Sequence, residues 1–360
     1  MNERVYNFSA GPSMLPLSAL ERAGSEITNY RGSGMSVMEM SHRSKVFQQI
    51  FDETQEKLRR LMNVPDGYKI LFLQTGASGQ FSMIPLNLMG PNGKADYAVT
   101  GNFAGIAAKE AAKYGTVNIA ADTSDRNHSY IPTQEQLKLS PDASYFYYCA
   151  NNTIYGTEWQ YVPETGSVPL VCDMSSDILS RPVDVSKFGI VYAGAQKNMA
   201  PAGLTVVIIR EDLAGHELPY TPVMMSYKAM IDKDSMYNTP PCWCIYMLGL
   251  VLDWLEEQGG IPGMEAIKHK KAQMLYDVID SSRLFTCAVE PGSRSDMNVV
   301  FRTGSDELDA KFVQESVAAG FTNLKGHRSV GGMRASIYNA MPTEGVEKLC
   351  DFIKAFDRAN

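Results

Sequence analysis

This sequence has no Lys/Arg cluster of the kind that would track a phosphate backbone. The formal net charge is −7, and nucleic-acid binding is disfavoured. No uninterrupted apolar run approaches the length of a membrane span. The amino-terminal stretch Met1-Asn2-Glu3-Arg4-Val5-Tyr6 has no apolar signal region, so the expected setting is cytoplasmic, with no membrane partner. The six cysteines are scattered, and Cys242-Trp243-Cys244 has no second pair to complete a tetrahedral zinc site. Reduced, mostly buried thiols and no metal centre are therefore expected. There is no internal repeat and no low-complexity tract. The Gly-x-Gly-x-x-Gly spacing of a nicotinamide-binding fold is missing at the first strand-to-helix turn.

What is present has an ordinary globular balance, with 44% apolar and 20% charged residues over 360 positions. That length implies two or so domains and room for a large core. From Tyr68 to Arg210 the pattern alternates between strand-like and helix-like stretches. Strands are predicted at Lys69–Leu73, Tyr97–Thr100, Val117–Ala120, Tyr145–Cys149, Val168–Cys172, Ile190–Tyr192 and Leu204–Ile209. Helices are predicted at Gly79–Met89 and Phe103–Tyr114. Such a pattern implies an α/β fold with a mainly parallel sheet covered on both faces. After about Pro240 the pattern changes to helices at Ile245–Glu257, Pro262–Asp280, Asp306–Ala319 and Thr343–Phe356. Strand-like segments at Asn298–Arg302 and Met333–Ile337 lie among them, which reads as a smaller α/β domain completed by the amino-terminal segment.

Three features sit at the ends of predicted strands, where such sheets collect ligands. Lys197 follows the run Val191-Tyr192-Ala193-Gly194-Ala195-Gln196. Asp173 closes Val168-Pro169-Leu170-Val171-Cys172. The turn Gln74-Thr75-Gly76-Ala77-Ser78-Gly79 joins a strand to a helix. A lysine, a carboxylate and a turn that presents N–H groups at a helix start are the parts that hold pyridoxal phosphate. Each feature has a plainer reading: a surface loop lysine, a capping carboxylate, a tight structural turn. A lysine used as nucleophile and base must shed its proton, which burial and an electron-poor neighbour favour. Two His-Arg pairs, His42-Arg43 and His327-Arg328, together with Arg334, suit a substrate with several negative charges.

Taken together, the sequence resembles the phosphoserine aminotransferases, a branch of the class V aminotransferases of pyridoxal-phosphate fold type I. The likeness spans essentially the whole chain. It runs through Tyr6-Asn7-Phe8-Ser9-Ala10-Gly11-Pro12, Met40-Ser41-His42-Arg43-Ser44, Ala77-Ser78 and Asp173-Met174-Ser175-Ser176-Asp177. It continues through Gly194-Ala195-Gln196-Lys197-Asn198, Tyr237-Asn238-Thr239-Pro240-Pro241 and Gly326-His327-Arg328-Ser329-Val330-Gly331-Gly332-Met333-Arg334. The resemblance implies a large cofactor-binding domain over 16–260 with a seven-stranded sheet, and a small domain built from 1–15 and 261–360. It implies that Lys197 makes the Schiff base with the cofactor and Asp173 pairs with its ring nitrogen. Ala77 and Ser78 would bind the phosphate, with Gln196 assisting, and Thr153 would hydrogen-bond the cofactor. Phe103 would stand over the ring, where the family often has tryptophan. Ala77-Ser78 stands where some members have Gly-Arg, which removes one cation.

The same resemblance gives Asn238 and Thr239 to the neighbouring subunit's cofactor, hence a homodimer with shared sites. Arg334 would take the substrate α-carboxylate. His42, Arg43, His327 and Arg328 would take the distal phosphate or carboxylate, some of them across the interface, with Ser9 also at the substrate. The implied reaction is reversible amino transfer between L-glutamate and 3-phosphohydroxypyruvate, giving 2-oxoglutarate and phosphoserine in serine biosynthesis. A phosphorylated keto acid of pyridoxine biosynthesis is a possible second substrate within the family. Other class V activities, such as serine–glyoxylate transamination or cysteine desulfuration, and a non-catalytic cofactor-binding protein are the competing readings. A desulfurase needs a mobile nucleophilic cysteine, and Cys149 and Cys172 are predicted to be buried in strands.

Overall fold

The computed structural model describes residues 4–90 and 93–360. The first three residues of the amino-terminal stretch read above lie outside the described residues. The chain opens with a two-residue strand, β1 (Tyr6–Asn7), and two helices, α1 (Leu17–Glu26) and α2 (Lys45–Leu61). Helix α2 shows why its sequence folds as it does. Ser44 caps it by accepting from the Phe47 N–H, and Arg59 and Arg60 occupy its last turn, where cations suit the carbonyl end. Phe47, Ile50, Phe51, Thr54 and Leu58 recur at helical spacing and form its buried stripe.

Then come β2 (Tyr68–Leu73), α3 (Gly76–Leu88), β3 (Lys94–Val99), α4 (Asn102–Ala111) and β4 (Thr116–Asp122). They are followed by β5 (Phe146–Cys149), a small hairpin of β6 (Asn151–Asn152) and β7 (Thr157–Glu158), β8 (Leu170–Asp173), β9 (Ile190–Gly194) and β10 (Thr205–Arg210). The seven longer strands form one sheet in the order β2-β10-β9-β8-β5-β3-β4. Only β10 runs against the others. This is the mainly parallel seven-stranded sheet the sequence implies. One expectation needs correction: no α-helix separates β5, β8, β9 and β10. Their faces are covered by helices from elsewhere in the chain.

Side-chain alternation along each strand sorts the two faces. Ile70, Phe72, Val206 and Ile208 point into one core with α1, α2 and α6 (Cys242–Glu257). Leu71, Leu73, Val207 and Ile209 point into the other, against α3, α4 and α5 (Tyr227–Asp232). Buried on both faces, the strands read as continuous apolar runs.

Beyond α6 the chain forms α7 (Gly260–Asp280), β11 (Asn298–Phe301), α8 (Asp306–Ala318), β12 (Phe321–Thr322), β13 (Met333–Ser336) and α9 (Thr343–Ala359). β11 pairs antiparallel with β13, and β1 pairs parallel with β12. A separate core gathers here around Phe285, Phe301, Phe312 and Phe356, and Phe8 and Met14 of the amino-terminal segment join it. Helix α7 serves both sides. Ile261 and Met264 belong to the core under the large sheet, whereas Ala272, Leu275 and Ile279 belong to the smaller one. Among the described residues no helix is long and apolar enough to cross a membrane.

Between the two cores lies Lys271 of α7, fully buried. Its Nζ donates to the carbonyl oxygens of Tyr338 at 2.9 Å, Asn339 at 3.4 Å and Met341 at 2.9 Å. Burial pushes its amine from the ordinary 10.5 down to about 7. The sign of the linkage follows. Between pH about 7 and 10 the unfolded chain holds a proton here that the folded chain does not, so this site's contribution to stability rises with pH. Lys271→Met keeps the aliphatic stem and removes the titration. Denaturant midpoints measured over that range should climb less steeply with pH in the variant than in the wild type. Equal slopes would mean the amine stays charged throughout.

Candidate active site

Five elements end at one cavity of about 360 Å³. Its lining includes Gly76, Ala77 and Ser78 beyond β2, Phe103 at the start of α4, and Thr153 on the β6–β7 hairpin. Asp173 at the end of β8 and Gln196 with Lys197 beyond β9 complete the sheet side. Ala10 and Gly11 close it from the amino-terminal segment, and His327 and Arg334 from the carboxyl-terminal part.

Helix α3 begins at Gly76, earlier than Gly79, so Ala77 and Ser78 stand in its first turn and not in a preceding loop. Gly76 enters the helix with φ +63°, a left-handed value that favours glycine. Thr75 gives no side-chain cap. The first-turn N–H groups therefore face the cavity without acceptors among the described residues, at the positive end of the helix. That is an anion cradle.

Lys197 is 9% exposed. Its Nζ donates to Thr153 Oγ1 at 2.7 Å and stands 5.7 Å from the centroid of the Phe103 ring. Its loop is laced to the amino-terminal segment. The Ser13 N–H donates to Gln196 O at 2.9 Å, and the Ser13 hydroxyl donates to Lys197 O. A Cβ on Gly11 would lie 3.3 Å from Lys197 Cγ, so glycine there lets the segment press against the lysine stem.

Asp173 is buried. Its Oδ1 accepts from the Ser175 N–H at 2.8 Å, and its Oδ2 from the Tyr192 hydroxyl at 3.1 Å. Burial holds the Tyr192 hydroxyl well above its ordinary pKa, so it remains a donor. No cation among the described residues forms an ion pair with this carboxylate. Arg334 likewise has no carboxylate partner among them. One guanidinium nitrogen, Nη1, donates to Thr153 O at 3.1 Å. Burial lowers the Arg334 pKa from its ordinary value. Burial, with Arg334 and Arg328 nearby, also lowers that of His327.

A buried carboxylate without a cation, a lysine nitrogen and an arginine without anions, and an uncapped helix start surround one space. This set fits pyridoxal phosphate: a phosphate for α3, a ring nitrogen for Asp173, an aldehyde carbon for Lys197 and an aromatic face for Phe103.

Of the residues singled out in the sequence, Ala77, Ser78, Phe103, Thr153, Asp173, Gln196, Lys197, His327 and Arg334 come together in this cavity. Ser9 adjoins it, one residue before Ala10. Arg328 is exposed and lines an adjacent groove of about 460 Å³ beside α8. His42 and Arg43 lie ahead of α2, outside the cavity of this chain. His42 is half-buried, and its Nε2 is enclosed without a hydrogen-bond partner. Asn238 and Thr239 are exposed, with Thr239 O accepting from the Gln74 side chain beside the α3 turn.

Sequence reading missed Phe81 and Ile154 as cavity walls and Tyr192 as a support for Asp173. Tyr192 carries a signal in retrospect, because it lies in an otherwise aliphatic strand, where a buried hydroxyl needs a partner. Cys149 and Cys172 are buried, and burial pushes both thiols well up, which leaves them unsuited to nucleophilic work.

Comparison with known proteins agrees with this geometry. The family model described as aminotransferase class-V matches residues 5–349. The phosphoserine aminotransferase of Laribacter hongkongensis is 53% identical, over 98% of this chain and 99% of the relative. That of Pseudomonas aeruginosa (strain PAO1) is 51% identical, over 99% of each chain. Among solved structures, phosphoserine aminotransferase from Bacillus circulans subsp. alkalophilus superposes with a TM-score of 0.98 at 48% identity, covering 99% of both chains. The PLP-bound phosphoserine aminotransferase of Trichomonas vaginalis gives 0.94 at 43% identity, covering 98% of this chain and 100% of the other.

Proposed function

The chain belongs to the class V aminotransferase family, and from that premise we propose how its residues carry out amino transfer. It is a pyridoxal-phosphate enzyme that moves an amino group reversibly between L-glutamate and 3-phosphohydroxypyruvate, giving 2-oxoglutarate and O-phospho-L-serine. The observation that carries the reading is the single cavity shared by Lys197, Asp173, Arg334 and the uncapped start of α3.

When bound, the cofactor supplies an electron sink for negative charge at the substrate α-carbon. Ala77 and Ser78 hold its phosphate through N–H groups, assisted by Gln196, while Phe103 covers the ring. Asp173 keeps the ring nitrogen protonated. Arg334 grips the α-carboxylate and so orients the α-hydrogen toward Lys197. Lys197 Nζ, with its amine free, would take that proton from the α-carbon as general base and then return it as general acid. His327 and Arg328 serve the distal charge with His42 and Arg43, because the same donors pair with carboxylate or phosphate.

The chain divides at residue 260, with 16–260 forming the large unit and 1–15 joining 261–360. The smaller core, separate from the two cores that flank the large sheet, supports two units, with the first turn of α7 still packed on the large one. The exposed Asn238 and Thr239, and the distance of His42 and Arg43 from their own cavity, support a homodimer in which these residues complete the neighbour's site. A monomeric mass in light scattering would sink that part. Six free thiols fit a cytoplasmic setting.

The test of the function follows absorbance through both half-reactions. Glutamate alone should bleach the visible cofactor band, and 3-phosphohydroxypyruvate should restore it. A band that glutamate leaves unchanged would refute the amino donor.

A further inference from the structure

The Lys197–Thr153 contact is one end of a longer buried chain of hydroxyls. Thr153 Oγ1 donates onward to Ser176 Oγ at 3.1 Å, and Ser176 Oγ donates to Asn151 O at 3.0 Å. Asn151 Nδ2 also donates to Ser176 Oγ at 3.0 Å. The far end is fixed by a carbonyl, which can only accept. Ser176 therefore commits its proton to Asn151, and its two lone pairs are taken by Asn151 Nδ2 and the Thr153 hydroxyl. Thr153 in turn commits its proton to Ser176 and offers Lys197 only a lone pair. All four residues are buried, so no water is needed to complete the pattern.

Asn151 is itself clamped. Its Nδ2 reaches Asn298 Oδ1 at 2.7 Å, and Asn298 Nδ2 donates to Ser336 Oγ at 2.9 Å and the Tyr338 hydroxyl at 3.1 Å. The Tyr338 hydroxyl donates to Ala10 O at 2.8 Å, on the cavity wall. The direction of the relay is thus set by groups on both sides of the molecule.

We infer that Ser176 is a positioning residue for Lys197: it holds the Thr153 hydroxyl with its hydrogen turned away, which leaves the lysine lone pair free to attack and to take a proton. The inference rests on the role given to Lys197 above. Remove Ser176, and the Thr153 hydrogen loses its acceptor. Lys197 Nζ, 2.7 Å away, is an acceptor within its reach whenever the amine is neutral. A donor there occupies the lone pair and favours the uncharged amine.

The experiment uses the full-length chain stripped of cofactor, with pyridoxal phosphate as the probe. The rate of band formation is followed across pH by stopped-flow absorbance. In Ser176→Ala the midpoint of the profile should move to lower pH by about half to one unit, with a lower plateau, as expected for one neutral hydrogen bond. In a Thr153→Val background, Ser176→Ala should cause no further shift, because the two act as one unit. Ser176→Cys, with a weaker acceptor, should shift in the same direction by less. If packing near the hairpin were the only role, the melting temperature would fall while the midpoint stayed in place. An unmoved midpoint in both Ser176 variants would overturn the relay, as would an equal shift without the Thr153 hydroxyl. Failure of the wild type itself to form the band would instead overturn the cofactor reading, and the relay with it.

Discussion

Lys197→Ala is expected to lower turnover by at least ~10⁴-fold, because it removes the nucleophile and the general base in one step. The variant should fold. Lys197 contributes a single side-chain hydrogen bond, to Thr153, and no ion pair among the described residues. Its loop stays pinned by Ser13, by Asn198 Nδ2 donating to Ile178 O, and by the Asn339 N–H donating to Asn198 Oδ1 at 3.1 Å. Cofactor can still enter, held by α3 and Phe103, but it should show the absorbance of the free aldehyde. Neither glutamate nor the phosphorylated keto acid should then cycle it. A variant that turned over within tenfold of wild type would refute the assignment of Lys197 as the catalytic base.

Asp173→Asn should cost roughly 10²–10³-fold in kcat, the usual scale for removing one preorganised electrostatic group. The change is nearly isosteric. The amide oxygen can still accept from Ser175 N–H, and Tyr192 can turn its proton toward Tyr147, whose hydroxyl lies 2.8 Å away. What is lost is the buried negative charge. Without it the cofactor ring nitrogen is not held protonated, and the electron sink weakens. KM values for both substrates should move much less than kcat, since no substrate group touches Asp173 in this reading. Near-normal kcat would show that the carboxylate only organises Ser175 and Tyr192.

The sheet was legible in the sequence because its strands are buried on both faces. Runs such as Ile70–Leu73 and Val206–Ile209 therefore stand out as unbroken apolar blocks. The cavity was legible for a related reason: its residues sit at the ends of those blocks. Helices α1 and α2 were not read. The stripe of α1 is only Ala19 and Ala23, a weak apolar signal, whereas α2 carried a readable one in Ser44 and the spacing of Phe47, Ile50, Phe51 and Leu58. The pairs that dock them, such as Arg22 and Lys57 with Asp253 of α6, are invisible along the chain. The expected helices between β5, β8, β9 and β10 are absent because α1, α2 and α6 already cover that face. Gly79 was taken as the start of α3 because glycine ordinarily punctuates a turn. Here it lies within the helix, and Gly76 makes the entry instead. Tyr192, Ser176 and the clamp on Asn151 act through partners far away in sequence, so no local pattern could announce them.

The pairing of β1 with β12 also sets an order of events during synthesis. Tyr6 leaves the ribosome well ahead of its partner Phe321, which follows about 300 residues later. At roughly 5–20 residues per second, the leading segment waits some 15–60 s for its place in a sheet. Lys197 and the α3 cradle emerge well before Arg334. Over the roughly 140 residues that separate Lys197 from Arg334, then, the nascent chain can present the parts proposed to receive the cofactor without the arginine proposed to grip the substrate.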